Sequence, residues 1–269
     1  MTGEPRLSAA DLSCWQSWQA TVAIHARTRL HAHRVDSARR VICDLLDQDS
    51  NPAIMWSGGK DSTAMAHLAL GVDPRFKLMS EKDDLDYPGE REYVEGLASA
   101  WGAHLTVLVP DVSPAQWMAE HAREIAIGGD VHGRAAGLSK ACFYSVVELA
   151  TMGRAIMLGL RSEESAARRV NRATRGRLYR ARDQWVATPL ADWTGLDVYT
   201  YLQAHDIEPL PLYRCIALMH SREPWRLRKS WWVQGAAGSM GGVMWLRHYY
   251  PSLYAKLVEW SPRTQSLGA

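Results

Sequence analysis

A six-residue segment, Ser57-Gly58-Gly59-Lys60-Asp61-Ser62, has the composition of an anion-binding loop. It lies between a short apolar run that ends at Trp56 and a helical pattern that contains Met65 and Leu68. Adjacent glycines let the backbone bend and approach an anion, and the N–H groups at the start of a helix attract negative charge. Lys60 adds a positive charge that we expect to be mobile, and the serines add hydroxyl donors. The segment therefore predicts a phosphate-binding loop between a strand and a helix.

Asp61 stands beside the expected phosphate position in this loop. A carboxylate in that place can help to hold Mg²⁺, which prefers oxygen ligands. The loop differs from a Walker A loop because the GxxxxGK[ST] spacing is absent. A tight turn that binds nothing is disfavoured, since all six residues fit a strand–loop–helix context. We therefore expect phosphate binding with Mg²⁺ at Asp61.

The elements that must position this loop alternate along the chain. Short apolar runs that indicate strands lie at residues 53–56, 76–79, 104–109, 155–160 and 184–190. Helical patterns lie at residues 9–46, after the loop through Leu70, and at 89–101, 114–125, 138–152, 194–205 and 245–260. This alternation is typical of βαβ units. It predicts an α/β fold whose parallel twisted sheet is flanked by helices, with helical N-terminal and C-terminal extensions.

The length and composition of the chain are typical of a folded globular protein. The 269 residues are 47% hydrophobic and 22% charged, which excludes a disordered protein and leaves material for a sizeable core. We expect residues 1–50 to form an N-terminal helical extension, 51–213 the main domain, and 214–269 an aromatic and basic C-terminal extension.

Charge and hydropathy limit the partners. The net charge is only +2, which argues against wholesale coating of DNA or membrane. No segment resembles a signal peptide or approaches the roughly 20 apolar residues that span a bilayer. We expect a cytoplasmic protein with no membrane partner.

Three further segments follow the loop in a fixed order. They are Asp86-Tyr87-Pro88-Gly89-Glu90; Leu158-Gly159-Leu160-Arg161-Ser162-Glu163-Glu164-Ser165 with Arg168; and Thr188-Pro189-Leu190-Ala191-Asp192-Trp193-Thr194 with Asp197-Val198 and Pro211-Leu212-Tyr213. Together with Ser57–Ser62 they resemble the phosphoadenosine phosphosulfate (PAPS) reductase and sulfate adenylyltransferase small-subunit branch of the PP-loop ATP pyrophosphatases. The resemblance covers residues 52–213.

The resemblance implies an adenine nucleotide alpha-hydrolase-like, Rossmann-like fold that binds its nucleotide at the carboxyl ends of the strands. The implied nucleotide is ATP or PAPS, with Mg²⁺ held by Asp61. The residues implied to bind it are Ser57, Gly58, Gly59, Lys60, Asp61, Ser62 and Gly159. The residues implied to act in catalysis are Lys60, Asp61 and Arg161. Arg161 and Arg168 are implied to hold the second substrate or pyrophosphate, since a planar guanidinium matches phosphate and sulfate oxygens.

The cysteines depart from the reductase pattern. PAPS reductases carry a catalytic cysteine near the C-terminus in a Glu-Cys-Gly-x-His context, but no cysteine follows Cys215. The paired cysteines that hold the iron–sulfur cluster of adenylylsulfate reductases are also missing, so no such cluster is expected. Cys215 itself is interpreted as packed and inert rather than reactive, because free cysteines are usually buried. Cys142 is expected in the core.

Three functions remain open from these observations. The first is adenylyl transfer, in which an acceptor oxyanion attacks the α-phosphate of ATP and releases pyrophosphate. The acceptor would be sulfate or a nucleic-acid group that is being prepared for thiolation. The second is reduction of PAPS by an external thiol. The third is a non-catalytic subunit that binds nucleotides or nucleic acid. A sulfur-transfer protein is a further candidate partner, and the oligomeric state is not indicated.

Residues 161–182 hold eight arginines against only Glu163 and Glu164. This arginine cluster could bind a small polyanion or a nucleic acid, or it could be a basic surface hairpin over the nucleotide cleft. A second basic and aromatic patch at 222–232, with the glycine-rich segment 235–242, is interpreted either as a lid or as an anchor for the C-terminal extension.

The histidines and the basic face of the N-terminal helices are interpreted as solvent-exposed residues without a functional role. The ten histidines are scattered, and the only tight pair is His31-Ala32-His33. No ligand spacing typical of a metal site stands out, so we expect these histidines to be exposed. The basic face of residues 27–40 is expected to be solvated.

Overall fold

The computed structural model describes residues 4–81, 86–110, 113, 154–181, 183–219, 224, 227, 229 and 240–260. Six strands form one sheet in the order β3-β2-β1-β4-β6-β5. Their bounds are β1 Ala53–Met55, β2 Lys77–Glu81, β3 His104–Leu108, β4 Ala155–Leu158, β5 Leu178–Ala181 and β6 Gln184–Ala187. All five predicted strands are present, and β5 was not predicted.

Eight α-helices accompany these strands within the described residues. They are α1 Ala9–His25, α2 Arg29–Gln48, α3 Lys60–Leu70, α4 Glu90–Ala100, α5 Ala166–Arg175, α6 Gly195–Ala204, α7 Met240–Tyr249 and α8 Pro251–Trp260. The helices predicted at 114–125 and 138–152 lie outside the described residues. None of the described helices combines the length and apolar character that a membrane span requires.

The sheet is parallel except at one edge. β1 pairs in parallel with β2 and β4, β2 with β3, and β4 with β6, whereas β5 pairs antiparallel with β6. The prediction of a parallel sheet is confirmed for the five predicted strands, and β5 with β6 forms a hairpin, which was one of the interpretations of the arginine cluster. Only two residues separate β5 from β6, and a connection that short closes an antiparallel hairpin. Because β5 belongs to the arginine cluster, its apolar pattern is too weak to indicate a strand.

The main core lies around the two central strands. Ile54 of β1 and Met157 of β4 are fully buried, as expected for parallel strands covered on both faces. α3 contributes Met65 and Leu68 to this core. α2 joins the same cluster through residues such as Ile42. The segment predicted as an N-terminal extension thus supplies part of the cover of the sheet.

A second, aromatic cluster joins the two ends of the chain. It includes Trp15 of α1, Tyr199 of α6, Tyr249 of α7 and Leu253 of α8. The buried carboxylate of Asp11 accepts hydrogen bonds from the Tyr249 hydroxyl at 2.8 Å and from two backbone N–H groups, so its polar atoms are satisfied within the cluster. The tyrosines therefore combine apolar packing with polar contacts.

A buried carboxylate also connects α1, α2 and α6. Asp197 closes a capping box with Thr194 at the start of α6, as the sequence predicted. Its carboxylate also meets His25 Nε2 at 2.8 Å, His31 Nδ1 at 3.2 Å and an Arg34 nitrogen at 2.5 Å. The expectation of exposed histidines is therefore wrong for His31, which is 7% exposed, and Arg34 is paired rather than simply solvated. These partners are more than 160 residues from Asp197 in sequence, so no local pattern indicated them.

Candidate functional site

The loop between β1 and α3 depends on a glycine at its turn. Gly58 has φ +73°, a left-handed conformation that side chains disfavour. A Cβ atom there would also lie 2.8 Å from Cγ2 of Val94. After this turn, the Ser62 hydroxyl donates to the Gly59 carbonyl at 3.0 Å and lies 3.0 Å from the Ser57 hydroxyl. The predicted strand–loop–helix arrangement is present.

Gly159 allows the end of β4 to approach the start of α3. A Cβ atom at Gly159 would lie 2.9 Å from both the Cα and the backbone nitrogen of Ser62. The parallel register pairs Met55 of β1 with Leu158 of β4, so the loop and Gly159 follow neighbouring strands at the same edge of the sheet. Two segments that are a hundred residues apart therefore meet without an intervening side chain.

A cavity of about 400 Å³ opens at this edge of the sheet. Its volume lies within the range of about 300–1,000 Å³ that is usual for small-molecule sites. The predicted site residues that line it are Ser57, Gly59, Lys60, Asp61, Ser62, Gly159 and Arg168. Neither Gly58 nor Arg161 lines it. The structure thus brings most of the predicted residues to one cavity, while their part in binding stays a prediction.

Lys60 is held in place rather than mobile, which corrects the expectation from sequence. Its side chain is 1% exposed, and its Nζ donates to Asp61 at 2.8 Å and to the Leu227 carbonyl at 3.2 Å. The ammonium group also lies 5.1 Å from the ring centroid of Tyr213. The Tyr213 hydroxyl in turn accepts a hydrogen bond from the Lys60 backbone N–H at 3.1 Å. The fold therefore fixes this charge at the edge of the cavity.

Asp61 lies between two cations. One carboxylate oxygen accepts from Lys60, and the other accepts from Nε of Arg161 at 2.5 Å. Burial by itself would raise the pKa of Asp61, but the charges of Lys60 and Arg161 outweigh burial and lower that pKa. Asp61 is therefore ionised and oriented before any ligand enters.

Arg161 contacts carboxylates instead of the cavity. Its side chain is 1% exposed and pairs with Glu163 as well as with Asp61. Glu163 also accepts from the Gly195 backbone N–H at 2.7 Å, which connects this pair to the start of α6. The predicted contact of Arg161 with a second substrate stays a prediction. Its hydrogen bond to Asp61 identifies Arg161 as a residue that orients the Asp61 carboxylate.

The cavity is also lined by Glu81, Glu164, Tyr213 and Lys229, none of which was predicted as a binding or catalytic residue. Tyr213 is buried below Lys60, and Lys229 forms ion pairs with Glu90 and, at 3.5 Å, with Asp86. Burial would lower the pKa of Lys229, but these carboxylates outweigh it and raise the pKa. The Asp86–Glu90 motif was a signal for the acidic partners. Lys229 belongs to the basic and aromatic patch at 222–232, but no local pattern could indicate its pairing with Glu90, which lies more than 130 residues earlier in the chain.

The structure confirms that Cys215 is packed, and its lack of reactivity stays a prediction. Its side chain is fully buried in the aromatic cluster, and this burial raises the pKa of its thiol. Among the described residues, no cysteine lines the cavity. Cys142 lies outside the described residues, as does most of the possible lid at 222–232 and 235–242.

Comparison with protein families matches residues 51–216 to the family described as the phosphoadenosine phosphosulfate reductase domain. The matched range contains the loop, Gly159, Arg161 and Arg168. Among curated proteins, the chain is similar to "Sulfate adenylyltransferase subunit 2" of Burkholderia lata, with 26% identity over 204 residues, which cover 69% of this chain and 67% of that protein. It is also similar to "Phosphoadenosine 5'-phosphosulfate reductase" of Xylella fastidiosa, with 25% identity over 208 residues, covering 72% and 82%.

Among solved structures, the fold is similar to that of Candida glabrata FMN adenylyltransferase. The TM-score is 0.50 at 13% identity, and the match covers 77% of this chain and 68% of that one. At this identity the likeness concerns the fold alone. It agrees with the α/β architecture, the mostly parallel sheet and its flanking helices.

Proposed function

This chain belongs to the phosphoadenosine phosphosulfate reductase domain family, and we propose that it cleaves MgATP at the α-phosphate and transfers the adenylyl group to an acceptor. The observation that carries this proposal is the meeting of the 57–62 loop with Gly159 at one nucleotide-sized cavity. The cavity is lined by three cationic residues, Lys60, Arg168 and Lys229, and by three carboxylates, Asp61, Glu81 and Glu164. Cations beside carboxylates suit a phosphate chain that arrives with Mg²⁺ better than a neutral ligand.

The reaction requires one bond to form and one to break at the α-phosphorus. An acceptor oxygen attacks this atom, the bond to the β-phosphate bridging oxygen breaks, and pyrophosphate leaves with the electron pair. Negative charge grows on the phosphate oxygens during this step, and preorganised donors stabilise it. Lys60 and the first turn of α3 would hold the phosphates, and Arg168 would contact the departing pyrophosphate. Arg161 would act through Asp61, as a positioning residue.

The carboxylates at the cavity fit a magnesium ion that arrives with the nucleotide. Asp61 and Glu81 both line the cavity and offer the oxygen ligands that Mg²⁺ prefers. Mg²⁺ commonly uses one or two carboxylates together with substrate phosphates, so these two would hold it. When bound, the ion would neutralise part of the phosphate charge.

The burial of Cys215 supports adenylyl transfer over a mechanism that uses this thiol. The buried Cys215 has a raised pKa, and the thiolate is the nucleophilic form of cysteine. An adenylyl transfer needs no thiol. The named relatives include a sulfate adenylyltransferase subunit as well as PAPS reductases, and both names are consistent with a shared nucleotide site.

Pyrophosphate release tests this proposal. The wild-type chain is incubated with MgATP and with sulfate or an oligonucleotide as acceptor, and pyrophosphate and ATP binding are measured. Lys60→Ala and Arg168→Ala should each reduce release at least tenfold, because each removes a charge from the cavity. Lys77→Ala is the matched control, since this exposed lysine lies at the start of β2. Because Lys60 is buried, thermal unfolding must show that its variant folds, and the partly exposed Arg168 gives an independent reading. A wild-type chain that neither binds ATP nor releases pyrophosphate would contradict the proposal.

The second candidate is reduction of PAPS by an external thiol, which the similarity to named PAPS reductases favours. It requires a separate thiol donor, such as a sulfur-transfer partner protein. The test measures sulfite production from PAPS by the Cys215→Ser variant with that donor present. Sulfite production under these conditions would favour reduction by an external thiol. Release of pyrophosphate from ATP without sulfite production would exclude it.

A further inference from the structure

Helix α5 has an unusual composition for a helix on a folded domain. Its ten residues include four arginines and no acidic residue, and none of its residues is buried. Val170 is 62% exposed. Arg168 and Arg169 lie in the first two turns, near the positive end of the helix dipole, where cations are unfavourable. The dipole favours Arg172 and Arg175 in the last turn, but neither core packing nor the dipole accounts for Arg168 and Arg169.

Three exposed arginines of α5 and the following hairpin lack an acidic partner among the described residues. Arg168 pairs with Glu164, and Arg172 pairs with Asp192. In contrast, Arg169, Arg175 and Arg180 form no ion pair with any carboxylate in the part of the chain that the structure describes. The surface therefore carries positive charge that the described residues do not neutralise, although the whole chain has a net charge of only +2.

Aromatic rings lie beside two of these arginines. The guanidinium of Arg175 lies 5.6 Å from the ring centroid of Tyr179 on β5, and that of Arg180 lies 5.6 Å from the ring of Trp185 on β6. Planar guanidinium groups and aromatic rings are the two kinds of side chain on which nucleobases stack. The two arginine–ring pairs lie on opposite faces of the hairpin, because Tyr179 is opposite Val186 and Arg180 is opposite Trp185.

The same surface reaches the nucleotide cavity. Arg168 lines the cavity and also a small pocket of about 20 Å³, which it shares with Ser162 and Arg172. The Ser162 hydroxyl is buried and has no hydrogen-bond partner among the described residues. This pocket has room for a single oxygen atom and is lined by three arginines, Arg161, Arg168 and Arg172, as well as by Ser162. That chemistry suits one phosphate oxygen at the border between α5 and the cavity.

We propose that α5 and the β5–β6 hairpin bind the phosphate backbone of a nucleic-acid strand, and that a group on this strand is the adenylyl acceptor. The four arginines of α5 lie within about a third of the helix circumference and span about 10 Å along its axis, which suits a polymer rather than a single sulfate. The assignment as acceptor rests on the proposed adenylyl transfer. The proposed binding surface does not depend on adenylyl transfer, because it is argued from the arginines and the aromatic rings alone.

Salt-dependent binding of a labelled single-stranded oligonucleotide tests the surface. The dissociation constant is measured by fluorescence anisotropy over a series of salt concentrations. For the triple variant Arg169→Ala, Arg175→Ala and Arg180→Ala, the slope of log affinity against log salt should fall by about 2, since each phosphate contact contributes about 0.7. Its affinity at low salt should fall at least tenfold.

The control triple variant Arg27→Ala, Arg29→Ala and Arg75→Ala removes the same charge from exposed residues outside the patch, and it should keep the wild-type slope. Three results would each contradict the proposed binding surface. They are an equal loss of oligonucleotide affinity in both triple variants, no oligonucleotide binding by the wild type, and equally tight binding of inorganic polyphosphate. Oligonucleotide binding without pyrophosphate release keeps the surface and overturns adenylyl transfer. Pyrophosphate release with sulfate, but no oligonucleotide binding, keeps adenylyl transfer and overturns this inference.

Discussion

The Nε atom of Arg161 lies 2.5 Å from Oδ1 of Asp61, although one hundred residues separate the two in sequence. The ion pair is almost fully enclosed, since the Arg161 side chain is 1% and the Asp61 side chain 15% exposed. It connects the end of β4 to the first turn of α3. The orientation of Asp61 at the cavity therefore depends on a distant part of the chain.

Replacement of Arg161 by alanine should destabilise the protein by about 3 kcal/mol, because it leaves the Asp61 carboxylate enclosed with one of its two cations removed. Urea unfolding measures this change. The exposed pair Asp36–Arg39 is the control, and Arg39→Ala should cost less than about 1 kcal/mol. Similar losses for both variants would contradict the role given to Arg161.

Replacement of Gly159 by alanine should reduce both stability and ATP affinity. The new methyl group would come within 2.9 Å of the Ser62 backbone, so the loop or the end of β4 must shift. Overpacking of this kind costs about 1–3 kcal/mol. Thermal unfolding and ATP titration report the two effects.

Gly96→Ala is the matched control, because a Cβ atom at this position of α4 meets no atom within 4 Å. Alanine is the better helix former, so this variant should be as stable as the wild type or more stable by up to about 1 kcal/mol. Unchanged ATP affinity in Gly159→Ala would show that the loop does not bind the nucleotide as proposed.

Asp197 predicts a pH-dependent component of stability. Burial would raise its pKa, but hydrogen bonds from His31, Thr194 and His25 outweigh burial and lower the pKa. A lowered pKa means that the folded state favours the ionised carboxylate. Its stabilising contribution is complete above about pH 4 and is lost as the pH falls below that value.

Asp197→Asn should therefore lose about 3 kcal/mol at neutral pH and should approach the wild type in acid. Urea unfolding between neutral and acidic pH measures the difference in unfolding free energy. Asp47→Asn removes an exposed carboxylate from α2 and should follow the wild-type curve. A constant difference between Asp197→Asn and wild type at every pH would disprove the titration.

Cys215 should resist alkylation while the protein is folded. Its thiol is buried and its pKa is raised, so both access and the reactive thiolate are limited. The exposed Cys43 should react with iodoacetamide at least a hundred times faster. Peptide mass spectrometry separates the two sites, and denaturant should abolish the difference. Rapid labelling of Cys215 in the folded chain would reopen it as a nucleophile.

Local patterns were sufficient for the loop and for most elements. The strands at β1, β2, β3, β4 and β6 follow from short apolar runs, and the Thr194–Asp197 capping box follows from residues three positions apart. Both features involve interactions between neighbours in sequence. β5 was missed because Leu178-Tyr179-Arg180-Ala181 is short, lies within the arginine cluster and lacks the alternation that marks a strand.

The sequence by itself determined the family motifs, the strand–loop–helix context of residues 57–62 and the lack of a cysteine among residues 216–269. Only the tertiary structure decided what the charged residues contact. Lys60 donates hydrogen bonds to Asp61 and to the Leu227 carbonyl. Arg161 donates to Asp61, and Lys229 forms an ion pair with Glu90. The physical reason is that burial makes an unpaired charge costly, so the folded chain selects partners by proximity in space. Proximity between distant residues is a property of the sheet order and of helix packing, which no local pattern contains.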